Sequence, residues 1–112
     1  MKFYLILSTV KPDYTDDVVD AAKAAGATGA TIIPARGVGV HEARTFFGLT
    51  LEAASDVILF LLSEALVDPV LEAISHAGEF QKPGTGIALV LPVDRAIGIE
   101  SQMERFRAEE DE

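Results

Sequence analysis

Apolar positions along the chain fall into short runs and helical repeats that predict two strand–helix–strand sets. Phe3 to Leu7 is rich in aromatic and branched residues and predicts a buried strand, ended by Pro12-Asp13. Thr15 then reads as an N-cap, with Asp16 and Asp17 where the helix dipole favours acid. Val18, Val19, Ala22 and Ala25 recur at helical spacing and Gly26 is a natural stop. The helix face is small and Ala-rich, which predicts close packing on a sheet. Ala30 to Ile33 predicts a second strand, and Pro34 confines it to an edge or a bulge. From Gly37 to about Ser55 no period holds, so this stretch reads as a long loop carrying Gly37, Gly39 and Gly48.

Val57 to Leu62 is the longest unbroken apolar run and predicts the third strand. A second helix follows, with Val67, Val70, Leu71 and Ile74 on one face and Gly78 at its end. Its start has two readings. Ser63 as cap leaves Pro69 in the interior, whereas Asp68 as cap puts Pro69 at the favoured first position. Ile87 to Val93 predicts a fourth strand, and Ile97-Gly98-Ile99 reads as a short addition. The two halves echo each other, as in Gly29-Ala30-Thr31-Ile32-Ile33-Pro34 against Gly86-Ile87-Ala88-Leu89-Val90-Leu91-Pro92. A duplicated split β-α-β pattern predicts an α+β, ferredoxin-like βαββαβ sandwich, an antiparallel sheet with two helices on one face. Residues 1–99 form that domain, and 100–112 read as an acidic tail.

Placed on such a fold, the composition sharpens. A sheet with helices on one side and water on the other alternates apolar and polar residues. Here the first, third and fourth strands are apolar at nearly every position, and mean hydropathy is +0.28. The second face therefore needs a cover, and a homo-oligomer supplies it. Ten such side chains are worth on the order of 15–30 kcal/mol before entropic costs. The charge balance of 9 Lys+Arg against 18 Asp+Glu excludes a general nucleic-acid binder and an anionic membrane surface as partner. Residues 100–112 carry 6 acidic and 2 basic groups of that balance. No run is long enough for direct membrane insertion, and the apolar stretch after Met1 is too short for a signal peptide. The absence of cysteine excludes disulfides, thiolate zinc sites and Cys nucleophiles, and agrees with a cytoplasmic protein.

Catalytic motifs are scarce, and no catalytic residue is assigned. Gly37-Val38-Gly39 lacks the third glycine of a dinucleotide fingerprint and leads into a loop. His76, four residues after Glu72, fits a solvated helix pair. His41-Glu42 supplies two metal ligands, and a third must come from elsewhere. The glycine loops say more. Arg36-Gly37-Val38-Gly39 leaves the second strand and Lys82-Pro83-Gly84-Thr85-Gly86 enters the fourth. Glycines let backbone N–H groups approach an anion, Thr85 offers a hydroxyl, and Lys82 or Arg36 balances charge; plain turn chemistry is the other reading. Phe46-Phe47-Gly48-Leu49 either packs on the subunit's own core or anchors a partner protein.

Lys11-Pro12 through Gly26, then Thr28-Gly29-Ala30-Thr31 and Arg36-Gly37-Val38-Gly39, resembles the P-II nitrogen-regulator family. So does Gly84-Thr85-Gly86-Ile87-Ala88-Leu89-Val90 running into Val93-Asp94-Arg95-Ala96-Ile97-Gly98-Ile99. The likeness covers roughly residues 2–100. It implies a non-enzymatic homotrimer whose intersubunit clefts bind a small effector, an adenine nucleotide such as ADP, AMP or ATP. It also implies a T-loop, here residues 37–55, that touches a partner such as a membrane transporter or an enzyme. The ligand residues so implied are Arg36, Gly37, Gly39, Lys82, Gly84, Thr85, Gly86 and Arg95, and the partner residues are Arg44, Phe46 and Phe47. The chain departs from the family in a shorter T-loop without the tyrosine that enteric members have uridylylated. It also has Ile87 in place of a phosphate-binding lysine, and Gly98 and Glu100 where the family places two arginines. A trimer of the same architecture resembling CutA, holding divalent metal through His41, Glu42 or other loop carboxylates, is the alternative. A small isomerase or hydrolase is a third class, which needs a buried acid or base.

Overall fold

The computed structural model describes residues 2–37, 44–46, 49–51 and 53–99. Its elements run β1 (Phe3–Val10), a 3-10 turn (Pro12–Tyr14), α1 (Thr15–Ala24), β2 (Thr31–Gly37), β3 (Arg44–Phe46), β4 (Leu49–Leu51), β5 (Ala53–Ser63), α2 (Glu64–Ala77) and β6 (Gly86–Pro92). The main sheet is four-stranded, in the order β2-β5-β1-β6, and every pairing in it is antiparallel. Both helices lie on one of its faces, which makes the α+β ferredoxin-like sandwich the sequence predicts. Ile6 and Val10 of β1 and Ile58, Phe60 and Leu62 of β5 point to that face. Val18 and Ala22 of α1 and Val70 and Ile74 of α2 cover them. Each large side chain buried there stabilises the fold by about 1.5–3 kcal/mol.

Several local expectations are corrected. Tyr14, not Thr15, is the N-cap of α1, and Thr15 is the first helical residue. The Thr15 hydroxyl is buried and donates to Asp56 Oδ2 at 2.6 Å, so it ties the helix to β5. Helix α2 starts after Ser63 and keeps Pro69 in its interior, which leaves the Ala65 carbonyl without its i+4 donor. Ser63 makes no side-chain cap, and its buried Oγ has no hydrogen-bond partner among the described residues. The supposed long loop is shorter, because β2 runs to Gly37 and β5 begins at Ala53. Between them β3 and β4 pair antiparallel, with Phe46 opposite Leu49. The stretch Ile97-Gly98-Ile99 adds no strand. Pro34 does lie on an edge strand, as its missing N–H requires.

The two helix ends show why the halves echo and where they differ. Helix α1 closes in a Schellman motif: Gly26 N–H bonds the Lys23 carbonyl at 3.0 Å and Ala27 N–H the Ala22 carbonyl at 3.0 Å. Gly26 takes φ +119°, and a Cβ there would stand 2.8 Å from Leu66 of α2. Glycine is thus needed twice, for the backbone and for the approach of the helices.

The helix-free face is mostly apolar, interrupted by Thr9 and Thr31. Register places Ile33, Val57, Thr9 and Ile87 in one row, Thr31, Leu59, Leu7 and Leu89 in the next, and Leu61, Leu5 and Leu91 in a third. In the single chain Ile87 is 56% exposed and Leu89 51%. A surface so large and so apolar marks an interaction site.

Candidate functional site

The glycine loop that enters β6 is built on the end of α2. That helix also closes in a Schellman motif, with Glu79 N–H on the His76 carbonyl at 3.2 Å and Phe80 N–H on the Ser75 carbonyl at 3.0 Å. The left-handed position that Gly26 fills in the first half is filled here by Glu79, at φ +53°. Gly78 itself has φ −87°; it is small because a Cβ would stand 2.4 Å from the Phe80 ring. A non-glycine residue in this region costs about 1–2 kcal/mol, so something must hold it.

What holds Glu79 is a ring of hydrogen bonds from three directions. Tyr14, at the head of α1, donates its hydroxyl to Glu79 Oε2. Lys82 Nζ donates to Glu79 Oε1 at 2.9 Å. The Glu79 carbonyl accepts from Lys82 N–H at 3.0 Å, and the Thr85 hydroxyl lies 2.6 Å from it and 2.9 Å from the Lys82 carbonyl. The electrostatics follow. Hydrogen bonds from Tyr14 and then Lys82 hold the Glu79 carboxyl below its ordinary range. The hydrogen bond to Glu79 raises both the Tyr14 phenol and the Lys82 ammonium. The loop closes at Gly84, with φ +76°, and at Gly86, where a Cβ would meet the Thr9 carbonyl at 2.4 Å. The two half-buried or buried side chains that stiffen it, Tyr14 and Thr85, leave the backbone of Pro83 and Gly84 at the surface.

The other predicted anion-binding segment, Arg36-Gly37, ends β2. Pro34 lies in register with Asp56, Asp56 with Val10, and Val10 with Gly86. The two loops therefore sit at the same end of the sheet but on its opposite edges, about 14 Å apart by three inter-strand steps. Lys82, Gly84, Thr85 and Gly86 are brought together, and within one subunit Arg36 and Gly37 are not brought to them. Arg95 lies at the other end of the sheet. It lines a cavity of about 520 Å³ with Lys2, Tyr4, Pro92 and Asp94. Thr85 is 5% exposed and its hydroxyl is directed at loop carbonyls, so its role in this state is to brace the loop. Gly39, His41, Glu42, Phe47, Glu100 and the tail lie outside the described residues, and Arg44 and Phe46 fall on β3. Among the described residues no three His, Asp or Glu side chains come together as a metal site. His76 and Glu72 are both exposed on α2.

Tyr14, Glu79 and the Thr15–Asp56 pair escape a reading of the sequence. Tyr14 and Glu79 are 65 residues apart, and no local pattern links them. Sequence offsets between the halves give no signal either: Phe3 matched to Val57 aligns Gly26 with Phe80, and Gly29 matched to Gly86 aligns it with Pro83.

Fold and loops together define a ferredoxin-like α+β domain with a glycine-loop edge and an open apolar face. The family model for "Nitrogen regulatory protein P-II" matches residues 3–103. The chain belongs to the P-II family and is a signal-transduction protein. Relatives described as nitrogen regulatory protein P-II include one from Cereibacter sphaeroides, 30% identical over 102 residues, 84% of this chain and 88% of the relative. One from Rhodobacter capsulatus is 30% identical over 95 residues, covering 80% and 85% of the two chains. One from Rhodospirillum rubrum is 29% identical over 99 residues, covering 84% and 88%.

Proposed function

We propose that this chain acts as a non-enzymatic homotrimer that senses a small anionic effector, an adenine nucleotide, in clefts between subunits. The Lys82–Gly86 loop of one subunit supplies backbone N–H groups and a cation, and Arg36, Gly37 and Gly39 of a neighbour close the cleft. Occupancy biases the segment 37–55, and through Arg44, Phe46 and Phe47 that segment regulates a transporter or an enzyme of nitrogen metabolism in the cytoplasm. The observation that carries this reading is the division of the two loops between opposite edges of one sheet. A phosphate group, far smaller than their separation, touches both only where one subunit's β6 edge meets another's β2 edge, and the apolar helix-free face supplies the force for that meeting.

Sedimentation equilibrium and thermal melting over a panel of AMP, ADP and ATP test the proposal. The expected result is a species of about three 11.9 kDa chains whose melting temperature rises with at least one nucleotide. A monomer at micromolar concentration, or a trimer that no nucleotide stabilises, contradicts it.

A further inference from the structure

The cation that the proposed cleft offers is already engaged. Lys82 is the basic side chain of the glycine loop, and in this state its ammonium rests on Glu79 at 2.9 Å. Glu79 is there despite its left-handed backbone, and Tyr14 anchors the other carboxylate oxygen. That anchor matters: when Lys82 turns toward a ligand, Tyr14 keeps the negative charge beside the loop. The next side chain after Gly86 is Ile87, 56% exposed, which adds no cation.

We propose that Glu79 is a specificity-determining residue of this loop, an internal carboxylate that competes with the effector for Lys82 and penalises ligands in proportion to their negative charge. The inference rests on the loop 82–86 being an anion site. A fixed negative charge several ångströms from a bound phosphate repels each further ligand charge by a similar increment, and salt screens that repulsion. Glu79 therefore compresses the differences among a nucleoside mono-, di- and triphosphate, and favours the less charged members relative to a loop without it.

Calorimetric titration of AMP, ADP and ATP into the wild type, Glu79→Gln, Glu79→Gly and Tyr14→Phe tests this at low and high salt. Glycine suits the left-handed backbone at position 79, so the two position-79 variants separate loss of charge from loss of fold. Both are expected to tighten binding by about threefold for each added ligand charge, and to lose that gain near 1 M salt, where screening acts over about 3 Å. Tyr14→Phe keeps the carboxylate without its anchor and is expected to show a weaker grading than either position-79 variant. A uniform gain for all three nucleotides, a loss in both position-79 variants, or the same graded gain in Tyr14→Phe overturns the inference while leaving the cleft in place. Absence of binding in the wild type and in every variant overturns the anion site itself.

Discussion

At the scale of single residues, the feature that organises the site is a glutamate where the first half of the chain has a glycine. Glu79 accepts hydrogen bonds at both carboxylate oxygens and at its carbonyl, and these offset the cost of its left-handed backbone. Their pH window follows from the directions of the shifts. Glu79 is held below its ordinary range, so its contribution persists above that range and is lost as pH falls through the lowered value. Tyr14 and Lys82 are raised, so theirs is complete below their ordinary values and is lost as pH climbs through the raised ones. An NMR titration of the Tyr14 ring is expected to show its midpoint move down in Glu79→Gln. An unchanged midpoint contradicts the hydrogen bond as its cause. Little of this was legible beforehand: Lys82, Gly84 and Gly86 stand out as a cluster, but a contact across 65 residues leaves no local trace. Thr15 shows the reverse case. Its hydroxyl is a good cap by type, and a half-buried acceptor on β5 outcompetes the helix end for it.

Elements were easier to read than their ends. The strands at Phe3–Val10 and Ala53–Ser63 and both helices announce themselves by composition and period, because each buries a continuous apolar set. The three-residue strands β3 and β4 carry too few positions to establish any period, so they read as loop. In α2 two capping residues compete, and tertiary packing decides. Starting at Glu64 puts Leu66 in the helix, where it packs against the core beside Gly26. The proline still forfeits a backbone hydrogen bond to Ala65 at an exposed site. Pro69→Ala is therefore expected to stabilise the fold by about 1–2 kcal/mol in urea denaturation, after the greater freedom of the unfolded chain is allowed for. Equal or lower stability contradicts the assignment of a continuous helix through this position.

For the whole molecule, the arrangement of the sheet matters more than any one loop. Its helix-free face joins Leu5, Leu7, Leu59, Leu89 and Leu91 into one apolar surface, and its end divides the basic and glycine segments between opposite edges. Sequence patterning predicted the two-faced apolar strands, because alternation fails where both faces are apolar. It gave no view of the separation between Arg36 and Lys82, which depends on strand order. Membership of the P-II family makes a regulatory role the natural setting for this geometry. The central claim is that an effector site exists only where two subunits meet. Mixing subunits that carry Lys82→Glu with subunits that carry Arg36→Glu, after each is shown not to bind nucleotide by itself, tests it most directly. If the site spans subunits, exchange into mixed trimers restores nucleotide binding at about a quarter of the sites, because random assembly pairs the intact loop of one variant with the intact arginine of the other at that frequency. Mixed trimers that bind no nucleotide contradict the account.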